Sequence, residues 1–421
     1  MGKKGIMGSV YPELLNNVRA LCDDAFAVTE YLTAHPEVGG QEEQSSRFVT
    51  EFLERHGYTV ERDYMGYKYA FRAYRTDDDR PRAAIMCEYD ALPEIGHGCG
   101  HSLSCGISVL AALALERTFP DFPWQIELVG TPAEETDGAK CPLVADGAFD
   151  RYDFAAMCHM DHLNAPIMWN LACNDMTITL HGRTAHASAS PWEGINAMNA
   201  AELIMHGVAL LRSQFKPFMQ VHGIVEEGGS LPNVVPDKAV LNYYTRALNL
   251  TELAELRRWV RQVVRGVAVA TGVTYEITQQ YPTFAELYRN PVELAAIEET
   301  FDDLGQPHGR YETPGASTDA GNVDMLIPTI HMEIQASDPD VSLHTAKFES
   351  YMHGDRARQT LLDGTSAFAT VLARLAYESG LFERIKTEHD RYRAEQHVRP
   401  HIDTGLVEAG GPEGTTSSRV E

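Results

Sequence analysis

Short β-rich runs alternate with helical ones through the first part of the chain, and this interleaving confines it to layered α/β architectures. Residues 11–34 and 42–56 carry the spacing of amphipathic helices. Residues 58–64, 69–74, 83–87, 125–130 and 154–158 read as strands, with an Ala/Leu-rich helix over about 106–118 between them. The continuous apolar character of the later runs indicates a sheet covered on both faces, with chemistry expected at the strand ends.

From residue 174 to 283 the pattern changes to strand 176–181, helix 194–215, strand 219–226, strand 238–248, helix 251–271 and strand 273–280. That β-α-β-β-α-β order predicts a ferredoxin-like unit, able to bury one sheet face under two helices. Afterwards a helix at 291–304, an apolar strand at 328–334 and a long helix at 354–378 resume the first layer. The expected organisation is a catalytic domain in two parts, 1–173 and 284–397, with 174–283 inserted as a lid or dimerisation domain. Residues 398–421, rich in Gly, Ser and Thr, are expected to form a mobile tail.

A length of 421 residues suits two domains. Acidic residues outnumber basic ones 60 to 35, a formal charge of -25, which argues against nucleic acid or an anionic membrane as partner. No stretch approaches the roughly 20 apolar residues of a membrane span. The opening, Met1 through Gly8, lacks the apolar run of a secretory leader. The seven cysteines are scattered and odd in number, against a disulfide framework. A cytoplasmic location is the expectation.

Four clusters of ligand-type residues each follow a β-rich run. Cys99 and His101 stand two apart in a glycine-flanked loop, so both can turn toward one zinc-like ion. The adjacent carboxylates Glu134 and Glu135 would repel in isolation, but gain a purpose if one holds a metal and the other takes a proton from water. His159, Asp161 and His162 end the next strand, and His344 follows the strand at 328–334. Alone, the Cys99–His101 loop reads equally as a glycine-rich turn, a Glu-Glu pair more readily as a solvated acidic turn and a single histidine more often as structural, whereas four clusters at the ends of one sheet point to a metal site. His186, in the loop after the first inserted strand, is a further candidate.

Nine landmarks in order make the chain resemble the M20 metallopeptidases, within them the amidohydrolase branch of aminoacylases, aminobenzoyl-glutamate hydrolases and the M20 domain-containing protein 2 group. They are His35-Pro36-Glu37, Glu88-Tyr89-Asp90-Ala91-Leu92-Pro93, Gly98-Cys99-Gly100-His101, Gly130-Thr131-Pro132-Ala133-Glu134-Glu135, His181-Gly182-Arg183-Thr184-Ala185-His186-Ala187, Pro191-Trp192-Glu193-Gly194-Ile195-Asn196-Ala197, Gly228 through Pro236, Ser317 through Val323, and Leu343-His344-Thr345. The resemblance implies a zinc-peptidase-like catalytic domain and two divalent metal ions, zinc, manganese or cobalt. It implies Cys99, His101, Glu135, His159 and His344 as ligands and Glu134 as general base. By the same resemblance His186 stabilises the oxyanion, often across a homodimer interface, and Asn233, Arg246, Ser317, Thr318 and Asn322 line the substrate pocket. Ser102 replaces the usual Asp or Asn, and Met160-Asp161-His162 replaces a usual proline context, which leaves His159 and His162 both open as ligand.

The expected reaction is hydrolysis of a small-molecule C-N bond, the amide of an N-acyl or N-aroyl amino acid or a dipeptide, by water that the metal activates and Glu134 deprotonates. Hydrolytic deamination of a non-peptide amine is the rival chemistry on the same scaffold. A catalytically silent relative that only binds a small molecule is the rival outside enzymology, though such a protein has no use for Glu134.

Overall fold

The structure, a computed structural model, describes residues 7–400, 402 and 404–418. Met1 through Ile6, part of the segment read for a leader, lie outside the described residues. The protein is mixed α/β and divides into two compact units: Met1–Trp169, Leu287–Thr313 and Thr318–Glu395 form the first, Asn170–Glu286, Pro314–Ser317 and Gln396–Glu421 the second.

The first unit begins with α1 (Met7–Ala34), α2 (Glu43–Arg55), β1 (Thr59–Arg62), β2 (Phe71–Tyr74), β3 (Arg82–Cys87), α3 (His101–Thr118), β4 (Gln125–Gly130), α4 (Lys140–Ala145) and β5 (Phe154–Asp161). The second contains β6 (Ala172–His181), α5 (Ala197–Leu211), β7 (Gln220–Glu227), β8 (Lys238–Ala247), α6 (Leu250–Thr271) and β9 (Thr274–Gln279). The first resumes with α7 (Pro291–Leu304), α8 (Ala320–Asp324), β10 (Thr329–Gln335), α9 (Ala346–Glu349), α10 (Gly354–Tyr377) and α11 (Leu381–Glu395), and β11 (Gly405–Gly411) and β12 (Gly414–Ser418) return to the second.

In the first unit the strands lie in the order β1-β2-β4-β3-β5-β10, with β4, β3, β5 and β10 parallel and the β1-β2-β4 edge antiparallel. Strand residues alternate between faces. On β5, Phe154, Ala156, Cys158 and Met160 join the core containing α1, α3 and α10, while Ala155 and Met157 join the opposite core. Continuing that alternation, His159 and Asp161 fall on the second face. Strand β10 repeats the pattern: Ile330, Met332 and Ile334 enter the first core, and His331 and Glu333 share the face of His159. Helix α3 is enclosed, its residues from His101 to Leu115 buried, with small and apolar side chains over most of its surface.

The second unit is one antiparallel sheet, β12-β11-β9-β6-β8-β7, with helices α5 and α6. Here the structure corrects the expectation of a mobile tail, since β11 pairs with β9 and β12 with β11. The glycines read as signs of mobility turn the hairpin at Pro412-Glu413, and a charge fastens it. Glu408 is wholly buried and accepts from Arg265 Nε at 2.6 Å, Arg265 Nη2 at 2.5 Å and Tyr275 Oη at 2.5 Å. Tyr275 and Glu408 stand 133 residues apart, and pairing at that separation leaves no local sequence period. Helix α11 escapes the sequence reading as well, because its charged, weakly apolar face resembles a solvated segment. No helix among the described residues is long and apolar enough to cross a membrane.

Glu408→Ala removes the acceptor that Arg265 and Tyr275 share, and because the Arg265 side chain is 43% exposed the loss of these charge-assisted hydrogen bonds costs about 1.5–3 kcal/mol. Denaturant unfolding is expected to show that loss, with β11 and β12 amides exchanging faster; an unchanged midpoint would remove Glu408 as the fastener.

Candidate metal centre

Parallel strands deliver the centre. Strand β3 ends at Cys87 and hands on Glu88 and Asp90, β4 hands on Thr131 through Glu135, and His159 stands on β5 itself rather than beyond it. Gly98-Cys99-Gly100 turns directly into α3, whose first residue is His101. Gly100 has φ +89°, and a Cβ there would lie 2.5 Å from Met160 Cβ, so only glycine admits this close approach between Cys99 and His101.

Two non-glycine residues beside the site adopt the left-handed region: Ala133 at φ 57° and His344 at φ 61°. Such strain persists only where surroundings hold it. The Ala133 N–H donates to Glu42 Oε1 at 2.7 Å, and the His344 N–H donates to the Gly98 carbonyl at 2.9 Å. Burial, then the charge of Asp90, raises the Glu42 carboxyl to about 7.

Cys99 Sγ lies 3.4 Å from His159 Nε2 and 3.2 Å from His344 Nε2, and His344 Nε2 lies 3.5 Å from Glu135 Oε1. Cys99, His101 and His159 form one set whose ligand atoms all fall within 4.8 Å of one another; Cys99, Glu135 and His344 form a second, and His101, Glu134 and Glu135 a third. The thiol is common to the first two sets. His162 stands apart from these sets, its Nδ1 2.5 Å from Asp161 Oδ1, so the structure brings His159 and not His162 to Cys99.

Burial alone would raise the Cys99 thiol, yet His159, His101 and His344 carry it well below its ordinary value, toward thiolate. Burial first, and then Glu88, Glu135 and Asp319, push the Glu134 carboxyl well above the usual carboxylate range. Burial and then Cys99 push Glu135 up to about 8. Among the described residues, His101 Nε2 and Glu135 Oε1 are buried without a hydrogen-bond partner. Orphaned buried acceptors gathered around a thiol and imidazoles are a donor set that a divalent cation satisfies, so these residues fit a metal.

Deeper lies a charge bridge that no local pattern announces. Lys140 is wholly buried at the start of α4, with Nζ 2.6 Å from Glu88 Oε1 and 2.7 Å from Asp319 Oδ1. Glu88 Oε2 in turn lies 3.3 Å from His101 Nε2, and His101 Nδ1 lies 3.0 Å from Asp90 Oδ1. The second Asp90 oxygen accepts from the Glu135 N–H at 2.9 Å. Glu88, Asp90 and Asp319 fall inside the landmark motifs, but a lysine in the apolar run Ala139-Lys140-Cys141-Pro142-Leu143 carries no signal of its partners.

The remaining candidates form two groups in the second unit and one in the first. His186 Nδ1 accepts from the N–H groups of Ser188 at 3.3 Å and Ala189 at 3.2 Å, which assigns the ring proton to the exposed Nε2. Its neighbour Val234 bridges to it, and the Asn233 carbonyl accepts from Ala187 at 3.0 Å. Arg246 Nη1 donates to Ser317 Oγ at 2.6 Å. In the first unit Thr318 and Asn322 are buried on either side of Asp319, and Thr318 Oγ1 accepts from the Ala320 N–H at 3.2 Å.

Comparison with known proteins gives the family. The profile described as peptidase family M20/M25/M40 matches residues 84–374. A Xaa-Arg dipeptidase from Mus musculus is 33% identical over 380 residues, spanning 86% of this chain and 88% of that one. A p-aminobenzoyl-glutamate hydrolase chain from Escherichia coli is 29% identical over 272 residues, 59% of this chain and 56% of that one. Among solved structures, a dinuclear metal-binding peptidase of the M20 family from Bacillus subtilis superposes with a TM-score of 0.66 at 19% identity, covering 85% of this chain and 99% of that one, a likeness of fold. The chain belongs to peptidase family M20/M25/M40 and is a hydrolase of that family.

Lys140→Met removes the counter-charge of two buried carboxylates, for a cost of about 3–5 kcal/mol. Chemical denaturation is the check, and a loss below about 1 kcal/mol would mean that Glu88 and Asp319 find another partner.

Proposed function

We propose that this hydrolase cleaves the amide bond of a dipeptide, or of a small N-acyl or N-aroyl amino acid, at a centre of two divalent metal ions. Cys99, His101, Glu135, His159 and His344 would hold them. The observation that carries this reading is the convergence of these side chains on one thiol, with the Glu134 carboxyl beside them. Thiolate and imidazole suit zinc, and the carboxylates also admit manganese or cobalt. A divalent ion bound there supplies Lewis-acid polarisation and lowers the pKa of water.

Glu134 does the proton work. A carboxyl pushed upward by burial and by Glu88, Glu135 and Asp319 takes a proton from the attacking water and returns it to the departing amine. His186, with Nε2–H outward, is a donor for the oxyanion of the tetrahedral intermediate. Arg246, held by Ser317, offers a guanidinium to a substrate carboxylate, with Asn233, Thr318 and Asn322 as further contacts. The similarity to a Xaa-Arg dipeptidase makes dipeptides ending in arginine the first substrates to try, and the hydrolase of p-aminobenzoyl-glutamate adds N-aroyl glutamates.

The strand order β9-β6-β8-β7 with α5 and α6 supports reading the second unit as a ferredoxin-like lid domain. Its β7 edge has no further strand beside it among the described residues and exposes Ile224 (64%) and Val225 (37%), which supports a homodimer through this edge. The seven cysteines are free and buried, which suits a reducing compartment such as the cytoplasm.

Hydrolysis of an Xaa-Arg dipeptide, an N-acyl amino acid and p-aminobenzoyl-glutamate, lost on chelation and restored by metal, is the expected result, with Glu134→Gln lowering kcat by about 10²–10⁴-fold while metal content is retained. Release of ammonia from an aminoaromatic acid with no amide turnover would replace this reading with deamination. Sedimentation at micromolar concentration is expected to give a dimer, which a charged pair at Ile224 and Val225 dissociates.

A further inference from the structure

The geometry points to Glu333 as a positioning residue that sets the orientation and tautomer of His159, presenting its Nε2 lone pair to the Cys99 side of the centre. This rests on the metal reading of Cys99, His101 and His159. Strands β5 and β10 are parallel neighbours, and Glu333 is the register partner of His159. Alternation sends both side chains to the same face, away from the core that takes Met160 and Ile334. Glu333 Oε2 lies 3.5 Å from His159 Nδ1, and the opposite ring nitrogen, Nε2, lies 3.4 Å from Cys99 Sγ.

Glu333 has no other role in view. Its side chain is wholly buried, and neither carboxylate oxygen has a hydrogen bond of good geometry among the described residues, so the imidazole nitrogens it faces at 3.5 Å and 3.1 Å are what can answer its charge. Its backbone is committed to Ala165, donating at 2.9 Å and accepting at 3.1 Å. A second imidazole beside it is His331, also wholly buried, whose Nδ1 is 3.1 Å from Glu333 Oε1 and whose ring stacks on His159 at 5.7 Å and 24°, while Asp161 and Tyr311 lie near enough to feel its charge. A buried carboxylate is expensive unless donors face it. Here the two donors available are imidazoles, and one belongs to the proposed centre. An imidazole that donates Nδ1–H to a carboxylate must keep Nε2 as the lone-pair nitrogen, and the ring can then neither flip nor rotate freely. His331 stacks on the same ring.

The test uses the full chain, stripped of metal, with zinc as the probe. Chelator competition gives the zinc affinity of wild type and Glu333→Gln, and thermal melting of both metal-free proteins reports fold. The expected result is about 10–100-fold weaker zinc binding at one of the two positions, with a metal-free melting temperature at or above that of wild type, because glutamine removes a buried charge without changing shape. A merely structural Glu333 would lower the metal-free melting temperature and leave affinity within twofold, and that pair of results overturns the inference.

Should Glu333→Gln fail to fold, nitrogen-15 NMR of histidine-labelled, zinc-loaded wild type decides. A His159 Nδ1–H protected from solvent exchange supports the inference, and a His159 protonated at Nε2 refutes it. Wild type that binds no zinc, manganese or cobalt would remove the metal reading and this inference together, an outcome distinct from wild-type binding that Glu333→Gln leaves unchanged.

Discussion

Lys140, buried without solvent, is the counter-charge that lets Glu88 and Asp319 lie buried beside Glu134. The bridge joins three segments remote in sequence: the end of β3, the start of α4 and the residue before α8. Because Glu88 also faces His101, the same bridge reaches the first turn of α3 and thereby the Cys99 loop. In a low-dielectric interior each of these charges alone would be driven to its neutral form. Burial opposes every one of them, yet Lys140, His101 and His159 still carry Glu88 below the usual carboxylate range, while burial leaves the Asp319 carboxyl above it, and the geometry of the centre follows from that mutual dependence.

Around this bridge the backbone is held where it would not otherwise rest. Ala133 and His344 take left-handed conformations, fixed by Glu42 and by the Gly98 carbonyl. The first stands just before Glu134 and Glu135, of which Glu135 reaches Cys99 and Glu134 reaches His101, and the second sets its own imidazole beside Cys99. The strain sits at the reactive end of the sheet, as expected where positioning outranks local comfort.

Much of the scaffold is legible from local periodicity. The parallel strands carry continuous apolar runs, and β4 and α7 match the sequence expectation residue for residue. The landmarks that name the five ligand candidates and Glu134 are also legible, because glycines beside Cys99 and paired carboxylates after β4 are unusual locally. Lys140, Glu333 and the β11-β12 hairpin are not. Lys140 and Glu333 look like ordinary surface charges in the sequence, and only burial beside distant partners gives them meaning. The hairpin reads as a tail because glycine-rich turns and disordered termini share a composition.

By itself the sequence determined the alternation of strands and helices, the metal-ligating residue types and the family, since these reside in short spacings along the chain. Tertiary structure alone brought His159 rather than His162 against Cys99. Both stand near the end of β5, but the period of two along that strand puts His159 on the face of Cys99 and Glu333, while Asp161 binds His162. It also decided which carboxylates are neutralised, because a buried charge takes its partner from whatever segment packs against it, and no local pattern records that choice.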